Sequence, residues 1–518
     1  MTSSIWAGPT TGTMTMRALR RYPERVAFSW DGGQLTYQAT AELISRMQSV
    51  LLARGLNNSH RVALLGGNRA ELWCAMVAAQ ACGAAVTSLH PKGSLPDHIY
   101  QLEDSGADFV VVDVLHFLDR GGEISALEDR LVFTLGAADY GTDLLQAAYD
   151  MGPAVFRDLA AADDVSALNY TGGTTGRAKG VMRRQRATMA SVLSVLAAFE
   201  LPARTRYLAV APISHVSGTK VLPVLIRGGT VRLITGFDPE HVLATIARER
   251  IDFTLLVPTM IYTLLDSPAL GQADTSSLQL LLYGASPMSP TRLKEGMERF
   301  GPIFSQLYGQ SECYPIAVLP RADHDTAQPD LLAACGFPVP GCDVAILDDD
   351  GQAVAPGQSG ELCVRAAHVM DEYWNQPEQT EQAFAHGWLH TGDIGRADDE
   401  GRLYIVDRKK DMIVTGGFNV YSREVEDAIS RHPDVAVAAV FGVPDPKWGE
   451  AVTALVVRRP GTQVQAEELQ RQVRAQKGPT HTPKHIEFVD ELPTTSLGKV
   501  DKKSLRARFW ANQTRSVG

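Results

Sequence analysis

The chain is predicted to be an α/β protein. A large N-terminal domain of two mostly parallel α/β subdomains and a small β-subdomain precedes a small α+β C-terminal domain. Three observations carry this expectation. Short apolar runs that end in turns or helix starts alternate with amphipathic stretches over residues 1 to about 165, and again over 185 to 310. Such alternation packs helices on a mostly parallel sheet. From Gly336 to Val406 the texture changes to short strands between turns, and beyond Asp407 a compact tail mixes strands with helices. A length of 518 residues accommodates several such units.

In order, Glu42 to Arg54 places Leu43, Met47, Val50 and Leu51 on one helical face. Arg61 to Leu65 is an apolar strand ending in Gly66-Gly67. Trp73 to Cys82 reads as helix, while Gly83 to Ser88 and Asp108 to Asp113 read as strands. Val165 to Tyr170 is a further strand, and Thr188 to Phe199 has helical spacing. Tyr207 to Ala211, Thr230 to Ile234, Phe253 to Val257 and Leu278 to Tyr283 continue the strand series. Ligands of open α/β sheets gather where such strands end. Around Gly341, Gly351 and Gly360 the turn chemistry of the small β-subdomain is dense. A helix from about Arg423 to Arg431 follows Ser422, which is expected to cap it.

Composition excludes several classes. Hydrophobic content of 45% and charge of 21% suit an ordinary globular chain, and a net charge of −10 argues against general nucleic-acid binding. From Arg408 onward 18 Lys and Arg face 13 Asp and Glu, so a modestly basic tail follows an acidic body. The six cysteines are too sparse for a disulfide framework and lack C-x-x-C metal spacing, which points to a reducing cytoplasmic setting. No apolar run is long enough for a membrane span, and the N-terminus lacks a signal-peptide pattern.

Between Tyr170 and Gly180 lies a loop rich in glycine and threonine. A strand, such a loop and a helix form a common phosphate cradle, with backbone amides, hydroxyls and a lysine as donors. The P-loop signature fails, because Lys179 follows Gly176 by three residues and precedes Gly180. The stretch resembles the T-S-G-T-T-G-x-P-K-G loop of the adenylate-forming superfamily, with Gly172 in place of serine and Ala178 in place of proline. Four further motifs follow in that family's order. Tyr308 to Glu312 resembles Y-G-x-T-E, Trp388 to Asp393 resembles W-x-x-T-G-D, Gly416 to Glu424 resembles G-G-x-N-(I/V)-x-P-x-E, and Leu492 to Lys499 resembles L-P-x-T-x-x-G-K. Tyr404 to Ile413 resembles the hinge between the family's two domains, and Pro212 to Gly218 its P-x-x-H-x-x-G stretch.

The resemblance implies an acid–CoA ligase that makes acyl-AMP and pyrophosphate from a carboxylic acid and ATP, then transfers the acyl group to the thiol of CoA. It implies a domain of residues 1–407 and a rotating lid of 408–518, hinged at Lys410. Thr171, Gly173, Thr174, Thr175 and Gly176 would bind the phosphates, with Tyr308, Gly309, Ser311, Asp393 and Arg408 on the rest of the nucleotide. Lys499, Glu312 and Lys179 would be catalytic, Glu312 holding Mg²⁺. His215, Val216, Gly218, Gly284 and Ala285 would line the acyl pocket, and Gly416 and Gly417 the CoA channel. Mostly small side chains on that wall suggest room for a broad acid. Two other readings stay open: an adenylating enzyme that hands acyl-AMP to a partner protein or carrier thiol, and an ATP-binding remnant without catalysis. Oligomeric state is undetermined, a homodimer included.

Overall fold

The computed structural model describes residues 8–510 except 128, 172–177 and 496–498. Two large sheets carry the first three quarters of the chain. In one, Val165–Tyr170, Ala85–Leu89, Arg61–Leu65, Phe109–Val112, Leu131–Thr134 and Thr142–Asp143 run parallel. In the other, Phe304–Tyr308, Leu280–Gly284, Phe253–Leu256, Arg206–Ala209, Thr230–Leu233 and Val26–Trp30 do so. The runs of Val, Leu and Phe suit strands covered on both faces, and Phe109–Val112, Phe253–Leu256 and Leu280–Gly284 are buried throughout.

The subdomains are less separate in sequence than expected. The hairpin of Val26–Trp30 and Gly33–Thr36 joins the second sheet, although the residues that follow it build the first. Glu372–Tyr373, from the β-rich stretch, pairs with Gly180–Arg184 at the edge of the first sheet. The remainder of that stretch forms the small antiparallel sheet Cys342–Leu347, Gly360–Ala366, Leu389–Ala397 and Leu403–Arg408. The two large sheets share one apolar core, where Phe28 and Trp73 meet with ring centroids 5.2 Å apart. Buried Asn68 joins them by hydrogen bonds: its Oδ1 accepts from Ile213 N at 2.8 Å, and its Nδ2 donates to Ile234 O at 3.0 Å.

Two local expectations are corrected. Tyr170 to Gly180 does not lead from strand to helix. Gly180–Arg184 is an antiparallel partner of Val165–Tyr170, with Tyr170 opposite Gly180, and the helix Gln185–Ala198 starts only afterwards. The apolar pair Val181-Met182 is buried as strand, so the segment that follows Lys179 is a strand and not a helix N-terminus. Ser422 does not cap its helix either. Ser422–Ser430 begins at Ser422 itself, whose amide and hydroxyl both donate to Asp407. A carboxylate from the strand Leu403–Arg408 takes the role that the sequence assigned to the serine.

The C-terminal part is a five-stranded sheet built on the long hairpin Val435–Asp445 and Gly449–Arg458, packed by Ser422–Ser430, Ala466–Lys477 and Lys502–Trp510. No described helix is long and apolar enough to cross a membrane.

Candidate active site

Parallel pairing sets the candidate site at the carboxyl ends of the second sheet's strands. Gly284 lies opposite Leu307, so the chain leaves the sheet at Ala285 beside Tyr308. A Cβ on Gly284 would stand 2.2 Å from Leu307 O. Ala285 takes φ +64°, a left-handed conformation uncommon for a residue with a Cβ. Strain of this kind collects at functional sites.

The side chains of Tyr308 and Gln310 converge on Asp393, which comes from the small sheet. Asp393 Oδ2 accepts from Tyr308 OH at 2.7 Å and from Gln310 Nε2 at 2.9 Å. Asp393 Oδ1 lies 2.7 Å from Arg408 Nε, yet this buried oxygen receives no well-directed hydrogen bond. The contact is an ion pair that leaves accepting capacity unused, and a sugar hydroxyl could fill it. Gly309 fits here because a Cβ would press on Tyr314 at 2.8 Å. Ser311 is half-buried, and its carbonyl accepts from buried Arg183.

Glu312 and Lys179 meet through a residue that sequence reasoning missed. Tyr373 OH donates to Glu312 Oε1 at 2.8 Å, and Lys179 Nζ sits 4.7 Å from the Tyr373 ring centroid. The strand pairing that sets Tyr373 opposite Val181 brings these groups together. The aromatic doublet Tyr373-Trp374 amid turn residues was the available signal. The Glu312 carbonyl accepts from Met370 N at 2.7 Å, while its Oε2 has no hydrogen-bond partner among the described residues. An anchored carboxylate with one oxygen unengaged is the donor chemistry a hard divalent cation takes, so Glu312 fits Mg²⁺. Thr171 N donates to Lys179 O at 3.0 Å across the base of the hairpin. Gly173, Thr174, Thr175 and Gly176 lie outside the described residues.

Lys499 comes from the other end of the chain. Burial pushes it down to about 8, Arg408 adds to that, and Asp393 and Glu312 oppose it. The charges acting on this lysine are thus those gathered by the two sheets. Lys410 is also lowered to about 8, by burial first and Arg408 second. Arg506 grips this segment, donating to Lys410 O at 3.2 Å and pairing with Asp411.

His215 meets another residue that the sequence did not single out. Its ring lies edge-on to His90 with centroids 4.5 Å apart. Burial holds His215 down at about 3 and His90 at about 4, so both are neutral near pH 7. Ser214 Oγ lies 2.8 Å from His215 Nδ1. Val216 is half-buried against the main core. A Cβ on Gly218 would fall 1.8 Å from Ile213 O. Backbone packing therefore explains the glycines at 218 and 284, and their small size is no guide to acyl volume.

Gly416 and Gly417 differ. Both have positive φ, +59° and +81°. A Cβ on Gly416 would meet Trp448 at 2.8 Å, whereas one on Gly417 would meet nothing within 4 Å. Gly417 is exposed at the turn between Ile413–Thr415 and Phe418–Val420. In this arrangement its conformation, and no close neighbour, accounts for glycine there.

Comparison with known proteins agrees with this geometry. A family model described as "AMP-binding enzyme" matches residues 16–374, and one described as "AMP-binding enzyme C-terminal domain" matches 424–499. A medium/long-chain-fatty-acid–CoA ligase of Mycobacterium tuberculosis is 42% identical, covering 98% of this chain and 91% of its own. A feruloyl-CoA synthase of an Amycolatopsis species is 35% identical over 96% of this chain and 99% of its own. Among solved structures, an amide bond synthetase from Marinactinospora thermotolerans superposes with a TM-score of 0.89 at 33% identity, covering 97% of this chain and 100% of its own.

Proposed function

The chain belongs to the AMP-binding enzyme family, in its acyl-CoA synthetase branch, and from that premise we propose the following reaction. A carboxylate oxygen attacks the α-phosphorus of ATP, the bond to the β-phosphate breaks, and pyrophosphate leaves. The thiol of CoA then attacks the carbonyl carbon of acyl-AMP, the carbon–oxygen bond breaks, and AMP leaves as the thiol gives up its proton. The observation that carries this reading is the convergence on Lys499 of Arg408, Asp393 and Glu312, three charges positioned by strands far from it in sequence.

Each residue has a task. Lys499 draws carboxylate and α-phosphate together against their repulsion. Asp393 accepts from the ribose hydroxyls while Tyr308 offers its ring to adenine, and Arg408 faces the ribose and phosphates. Lys179, with the loop of Thr171, Gly173, Thr174, Thr175 and Gly176, holds the phosphates alongside Gly309 and Ser311. Glu312 would hold Mg²⁺, which when bound offsets charge on the departing pyrophosphate. Neutral His215, with Val216 and Ala285, borders the acyl group and moves no proton.

The division between body and lid is placed at Arg408, with Lys410 as pivot and Gly416 and Gly417 on the CoA side. The six cysteines are free and buried, which supports a cytoplasmic setting. The named relatives act on fatty and feruloyl acids, so the acid is left to a panel of fatty, aryl and polycyclic acids. ATP–pyrophosphate exchange should appear with at least one acid, and CoA should then convert it to net AMP and thioester. Exchange with none would refute adenylation. Exchange without thioester would give the carrier-thiol reading precedence.

A further inference from the structure

Cys313, Cys342 and His368 come from three separate segments, and all are buried at 6% exposure or less. Cys313 follows Glu312, Cys342 opens the small sheet, and His368 lies in the turn that follows the strand Gly360–Ala366. Their sulfur and ring nitrogen atoms all lie within 4.8 Å of one another. Neither the nucleotide chemistry nor the acyl transfer uses them.

The hydrogen bonding of His368 fixes its donor atom. Nε2 lies 2.6 Å from Pro315 O, and a carbonyl only accepts, so Nε2 carries the proton. Nδ1 therefore presents its lone pair. It meets Ser194 Oγ at 3.4 Å, which is long, and the Cys342 thiol, which hydrogen-bonds to His368 and to Cys313 where a metal would replace the protons. An imidazole oriented by a backbone carbonyl through its second nitrogen is how proteins present histidine to a metal.

The geometry points to a metal site: Cys313 Sγ, Cys342 Sγ and His368 Nδ1 bind one thiophilic d¹⁰ cation, zinc(II) or copper(I). Two sulfurs and one imidazole nitrogen are the donors that such ions prefer over magnesium. Sulfurs bound tetrahedrally to zinc at about 2.3 Å stand ~3.8 Å apart, so little contraction is needed from the present spacing. Binding releases two thiol protons, and two thiolates then neutralise a divalent ion, which suits a buried position. The bound ion would join the Glu312 loop to the small sheet and to the 366–371 segment, whose Met370 N already donates to Glu312 O at 2.7 Å. Because the ligands are buried, the ion enters during folding or local opening.

The test uses the full chain expressed with added zinc or copper and analysed by mass spectrometry for metal per chain. About one equivalent is expected, and which metal is retained distinguishes the two ions. Cys342→Ser and His368→Gln should lose it, while Cys82→Ser, outside the cluster, should keep it. A thiol-competitive chelator should lower the melting temperature of wild type but not of Cys342→Ser. Should the variants fail to fold, cobalt(II) added to stripped wild type must still give thiolate-to-metal charge-transfer absorption. A wild type that retains neither metal, with a chelator-insensitive melting temperature and no cobalt band, overturns the site. So does a disulfide between Cys313 and Cys342 found by peptide mapping of the chain denatured without reductant.

Discussion

On the proposed reading Lys499 acts in its charged form, and its surroundings make that form costly. With its value lowered to about 8, the ammonium is complete below that pH and lost as pH rises through it. Acid-dependent pyrophosphate exchange should therefore fall on the alkaline side near pH 8, and Lys499→Arg, whose charge persists, should remove that limb. Lys499→Ala should slow adenylation by ~10²–10³-fold, the scale for losing one transition-state stabiliser. Thioester formation from preformed acyl-AMP should change far less, and equal losses in both steps would contradict the assignment. Glu312→Gln keeps the partner of Tyr373 OH but removes the charge, so the magnesium concentration for half-maximal exchange should rise sharply. An unchanged magnesium curve would move the metal elsewhere. Motif spacing made Lys499 and Glu312 legible. It gave no sign of Tyr373, whose partners lie 61 residues away at Glu312 and across a strand pair at Lys179.

At the scale of elements, apolar runs were good guides because burial on both faces leaves strands little choice of residue. Arg61–Leu65 begins and ends where the sequence indicates, and Phe253–Leu256 differs by one residue. The strand Gly180–Arg184 was missed because five residues between a glycine-rich stretch and a helix are too few to show a period of their own. The Ser422 cap was misread because a partner from another strand, Asp407, outcompeted a local one. The Pro212 to Gly218 turn shows backbone packing deciding identity. Gly218→Ala forces a methyl within 1.8 Å of Ile213 O, so the backbone must shift. We expect a loss of at least ~2 kcal/mol in urea unfolding, the scale of core overpacking. A wild-type midpoint at unchanged slope would show that the turn adapts.

For the whole molecule the question is how one site serves two reactions. In the present arrangement Lys499 faces the nucleotide-side charges, while Gly417 stands exposed with open space around it. On the proposed reading a rotation at Lys410 would exchange these roles. Lys410→Pro fixes φ at the pivot and should trap one orientation. If the present orientation is held, exchange persists while thioester synthesis collapses. Gly417→Leu should give the same separation by filling the thiol path, with a further cost of about 1–2 kcal/mol because φ is +81°. Thioester formation by Gly417→Leu at the wild-type rate would remove Gly417 from the channel.

Local order determined much of this protein. The periodic apolar runs specify α/β layers, and five motifs in sequence specify an adenylating ligase, because each depends on side chains only a few residues apart. Tertiary structure alone decided which distant groups meet. It brought His90 to His215, Tyr373 between Lys179 and Glu312, Asn68 across two sheets, and two cysteines 29 residues apart to one histidine. The reason is physical: periodicity and turn chemistry report how a segment buries its own surface, whereas such contacts depend on the pairing order of strands. That order is set by the packing of the whole core.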